Sequence, residues 1–118
     1  MSVYTRESAN EELTSMMASG PIIQGSKITR VQAAGLVIDG TYSFSGSVQL
    51  YATVVRRNDL SGEYRHAMPK AEQDSAKVEL RAALNTASKF DRRNDRRAHT
   101  YCTVLELLID AWVPTHVL

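Results

Sequence analysis

The chain has 118 residues, enough for one compact domain and too few for a second core of useful size. Apolar residues make up 43% and charged residues 23%, a mix that excludes a disordered chain, and a net charge of +1 excludes a strongly basic nucleic-acid coat. One cysteine excludes an internal disulfide, no Cys/His set has zinc-site spacing, and the longest apolar stretch, 33–38, is far short of a membrane span. These bounds predict a soluble single domain, 1–118, in the cytoplasm.

The first predicted element is a short helix over about residues 9–19. Ser8 and Glu11 have capping-box spacing, and Ala9, Leu13, Met16 and Met17 recur at helical spacing. Gly20 and Pro21 supply the stop.

The next signal is a hairpin over 28–57. The even positions Tyr42, Phe44, Gly46, Val48, Leu50, Ala52 and Val54 alternate with the polar Ser43, Ser45, Ser47, Gln49, Tyr51 and Thr53. Such alternation puts successive side chains on opposite faces of a strand. Asp39-Gly40 suits a two-residue type I′ turn, and the register it sets pairs Val37 with Tyr42 and Val31 with Val48 on the apolar face. A third strand is predicted over 63–68, ended by Pro69, which is placed to open a helix at its first position.

Two helices follow. Ala76, Leu80, Ala83, Leu84, Ala87 and Phe90 form the stripe of the first. Ala98, Tyr101, Cys102, Leu105, Leu108, Ile109 and Trp112 form that of the last, widened by Val104, Leu107 and Ala111. A helix apolar over most of its circumference needs cover on several sides. The prediction is therefore an α+β domain: a short N-terminal helix, a three-stranded antiparallel sheet and two C-terminal helices, forming a homo-oligomer through the last helix. A last helix wrapped by its own domain is the alternative.

The one charge anomaly is 89–97, with five basic and two acidic residues. Arginine presents a planar donor fork that fits phosphate oxygens in pairs. Arg92 with Arg96, and Arg93 with Arg97, repel at one helical turn, and cations at a helix N-terminus oppose its dipole, so an anion would relieve either arrangement. The bland reading pairs Asp91 and Asp95 with these arginines on a solvated connector. A second candidate is the hairpin's polar face, with Arg30, Gln32 and Tyr51, and Arg57 beyond it, donors and a ring suited to nucleotides or unpaired RNA. A solvated sheet face commonly has the same composition.

Catalysis finds little support. His99 and Cys102 lack an orienting partner, and Cys102 lies on the apolar stripe. Glu106 and Asp110 fit arginine partners across an interface better than paired acids, no glycine-rich phosphate loop is present, and no metal or cofactor is expected. The leading expectation is a non-enzymatic oligomeric protein that binds a phosphate-bearing ligand, a nucleotide or nucleotide signal. Arg92, Arg93, Arg96 and Arg97 would take the phosphates and Phe90 or Tyr51 the base, with Asn94, Arg30 and Arg57 as further candidate ligand-binding residues. Sequestration by so small a chain suits a virus or phage, acting in the host cytoplasm. The alternatives are an RNA- or DNA-binding module and a structural shell or scaffold subunit.

Overall fold

The computed structural model describes residues 13–17, 20–23 and 27–117, and every regular element among them is a helix. Residues 13–17 form a helical segment, α1. Four longer helices follow: α2 (Arg30–Ile38), α3 (Gly46–Ser61), α4 (Lys70–Ala87) and α5 (Arg96–Ile109). The predicted Ser8–Glu11 capping box and the start of the first helix lie outside the described residues.

The α+β prediction is overturned at the hairpin: 28–57 forms α2 and α3, and no strand occurs among the described residues. Thr29 and Gln32 explain the first helix. Thr29 Oγ1 accepts from the Gln32 N–H at 3.1 Å, and Gln32 Oε1 accepts from the Thr29 N–H at 2.9 Å, a complete capping box. Asp39-Gly40 ends α2. Gly40, at φ 82°, donates its N–H to the Val37 carbonyl at 3.2 Å, and Tyr42 donates to Leu36 at 3.0 Å. A left-handed glycine serves a helix C-terminus as well as a hairpin, so the dipeptide does not distinguish them.

In α3 the buried residues are Val48, Tyr51, Ala52, Val54, Val55 and Asn58. Val48, Tyr51, Ala52 and Val55 follow the helical spacing, while Leu50, central to the predicted apolar strand face, is 49% exposed. Gly62, at φ 69°, closes this helix by donating to Asn58. Residues 63–69, which take in the predicted third strand, form neither helix nor strand. The Asn58 side chain brackets His66, accepting from its N–H and donating to its carbonyl, each at 3.0 Å.

The last two helices match their predicted stripes more closely. Pro69 is the N-cap of α4, one position before the predicted place, and Gln73, Ala76, Leu80 and Ala87 are buried. In α5, Ala98, Tyr101, Cys102, Val104, Leu105 and Leu108 are buried. Both α2 and α4 pack on α5, and Tyr51 reaches it from α3, sharing its hydroxyl proton between the Leu108 and Ala111 carbonyls at 3.0 and 2.9 Å. The stripe is thus covered within one chain, which removes the premise for a homo-oligomer through this helix. Trp112 leaves the stripe: α5 ends at Ile109, and the indole is 61% exposed. No helix among the described residues is long and apolar enough to cross a membrane.

Candidate functional site

The arginine-rich connector between α4 and α5 folds around two carboxylates. Asp91 accepts from the Arg93 N–H at 3.1 Å and from the Asn94 side-chain amide at 2.6 Å. Asp95 caps α5, accepting from the Arg97 and Ala98 N–H groups, each at 3.1 Å. The negative charge that a helix N-terminus favours is therefore supplied by the chain itself.

The four guanidinium groups diverge from this turn. Arg92 pairs with Glu106 at 2.8 Å and reaches Thr103 at 3.5 Å. Glu106 thus finds its arginine within the chain. Arg97 Nε donates to the Gly20 carbonyl at 3.1 Å. The side chains of Arg93 and Arg96 have no partner among the described residues.

Two shallow depressions flank Arg97. The larger, about 510 Å³, is lined by Ile22, Asp91, Asn94, Asp95, Arg96 and Arg97. The smaller, about 240 Å³, is lined by Thr14, Met17, Phe90, Asp95 and Arg97. The first sets two carboxylates against two guanidiniums, so its charges balance. Arg96 supplies the free donors there, while both carboxylates are already committed as acceptors.

Of the residues proposed from sequence, the structure brings Asn94, Arg96 and Arg97 to one depression and places Phe90 in the adjoining one. Arg92 and Arg93 line neither. Arg30 pairs with Asp59 at 3.0 Å and Arg57 is exposed on α3; both stand apart from the depressions. Tyr51 is fully buried, so its ring faces the core, with the Lys77 ammonium 5.9 Å from its centre. Burial pushes the Cys102 thiol pKa up, which disfavours the thiolate a nucleophile requires. Among the described residues no group of three His, Cys, Asp or Glu side chains could hold a metal ion.

Sequence reasoning missed one surface feature. The Trp112 ring lies against Tyr64, centroids 5.6 Å apart and planes tilted by 52°, and Tyr64 donates its hydroxyl to Asp59 at 3.0 Å. The available signal was Pro114, which cannot continue a helix and follows Trp112 by two residues. Compared with known proteins, the chain matches no family model, no curated protein and no solved structure.

Proposed function

We propose that the protein is a non-catalytic assembly subunit whose copies associate through the Tyr64–Trp112 surface rather than through the covered face of α5. The exposed, ring-paired Trp112 is the observation that carries this reading. Tryptophan and tyrosine dominate contact energies because a large apolar body ends in a polar tip, and a half-desolvated indole gains most when covered. Leu60 and Val117, in the neighbouring stretches of chain, are 68% and 80% exposed. A net charge of +1 leaves little long-range repulsion between copies. Sedimentation of the full chain across micromolar concentrations tests the reading. A dimer or larger species that Trp112→Ser dissociates is the expected result; a monomer throughout contradicts it.

A second reading, a binder of phosphate-bearing small ligands, is favoured by the convergence of Asn94, Arg96 and Arg97 on one depression. The balancing carboxylates Asp91 and Asp95 make it the weaker reading. Titration with a nucleoside triphosphate and with a cyclic dinucleotide tests it: saturable heat, abolished by Arg96→Ala, is expected, and no heat from either contradicts it.

A further inference from the structure

Residues 20–23 lie as a non-helical strap against the N-terminal half of α5. The Gly20 carbonyl accepts from Arg97 Nε at 3.1 Å, the Ile23 N–H donates to Thr100 Oγ1 at 3.3 Å, and the Gly20 N–H donates to the Met17 carbonyl at 3.2 Å. Under Gly20 sits Tyr42, fully buried, its ring edge-on to Tyr101 with centroids 4.8 Å apart. The Tyr42 hydroxyl has no hydrogen-bond partner among the described residues. Gly20 seals the hydroxyl end of that ring: a Cβ there would stand 3.0 Å from Tyr42 Cε1 and 3.1 Å from the hydroxyl oxygen.

A hydroxyl held dry without a partner loses the hydrogen bonds water would give it, and any opening that wets it recovers them. Among the described residues two side chains of α5 hold the strap, Arg97 at the first turn and the buried Thr100 one turn on, whereas the cost of the orphan lies wholly in the closed state.

We propose that the strap is a local cover that opens without unfolding the bundle, with Arg97 as its latch and the Tyr42 hydroxyl biasing it toward opening. The cover has a consequence for the connector. Ile22 of the strap walls the larger depression, Thr14 and Met17 of α1 wall the smaller, and Arg97 belongs to both. Closing the strap completes the larger depression; lifting it removes one wall and frees the guanidinium of Arg97. The position of the strap therefore decides whether that pocket exists, whichever functional reading holds.

Native-state hydrogen exchange of the full chain tests this, with the Leu105 amide in the middle of α5 reporting global unfolding. The Gly20 and Ile23 amides are expected to exchange at least tenfold faster than that of Leu105. Tyr42→Phe removes the orphan without adding bulk and slows both strap amides about tenfold. Arg97→Ala speeds them by about tenfold. Strap amides exchanging as slowly as Leu105, or insensitive to both substitutions, would overturn the proposal.

Discussion

Two stretches of non-helical backbone are tied to this helical bundle, one near each end of the described chain, and they are tied differently. At the C-terminal side, buried Gln73 donates to the carbonyls of Met68, Val113 and Pro114, at 2.6, 3.2 and 3.4 Å. The Met68 N–H donates to Pro114 at 2.9 Å, while Tyr51 and Lys77 both reach the Ala111 carbonyl. At the N-terminal side the strap relies on Arg97 and Thr100, and it leaves the Tyr42 hydroxyl unsatisfied. Backbone outside a helix needs side-chain partners when it is buried. One stretch has several of them in the interior, which makes it part of the core; the other draws on two in the first turns of α5, of which only Thr100 is buried.

The largest expected effect is at Gln73. Gln73→Leu keeps the volume but removes the donor shared by three buried carbonyl groups, leaving those of Met68 and Val113 without it while Pro114 keeps the Met68 N–H, and is expected to destabilise the fold by about 3 kcal/mol in urea unfolding. An unchanged midpoint would break the contrast, since the C-terminal tie would then be no stronger than the strap. The next effect is one of sign. Tyr51→Phe deletes a bonded hydroxyl and should lower stability by about 1–2 kcal/mol, whereas Tyr42→Phe deletes an orphan and should raise it by about 1 kcal/mol. Two identical chemical changes with the same sign would remove the distinction between the two sites.

A further effect is seen at high pH. Burial pushes the pKa values of both Tyr42 and Tyr51 up from 10.0 to about 12. The folded protein keeps these phenols neutral past the pH at which an unfolded chain ionises. Stability is therefore unaffected by their ionisation below pH 10 and falls as pH rises from there through about 12. Each Tyr→Phe substitution should flatten its share of the alkaline loss of stability; a profile identical to that of the original chain in both variants would contradict it.

The legible part of the fold is the part where only one periodicity was present. From Ala98 to Leu108 the apolar positions recur only at helical spacing, and Asp95 stands at the cap, so α5 follows from its residues. Over 42–55 two periodicities coexist. The serines at 43, 45 and 47 produce a strand-like alternation that runs into the first turn of α3, while Val48, Tyr51, Ala52 and Val55 carry its helical stripe. Thr29 with Gln32 was the deciding local signal, because a capping box has no use in a strand.

The site was legible only in part. The proximity of Asn94, Arg96 and Arg97 follows from the chain itself. The tie from Arg97 to Gly20 spans 77 residues and depends on how the bundle closes, which no local pattern records. The same holds for Tyr42: its place on an apolar face was readable, but the absence of a partner for its hydroxyl is a property of the packed structure. Trp112 was misplaced because its spacing fits the stripe of α5, while the helix stops at Ile109, short of it.

The contrast between the two tied stretches comes down to two amides, Ile23 in the strap and Met68 in the C-terminal tie, followed together by hydrogen exchange under native conditions. The Met68 amide is expected to exchange only through global unfolding, and the Ile23 amide about 100-fold faster through local release. Equal rates for the two would contradict the account, because the strap would then be as firmly held as the interior it covers.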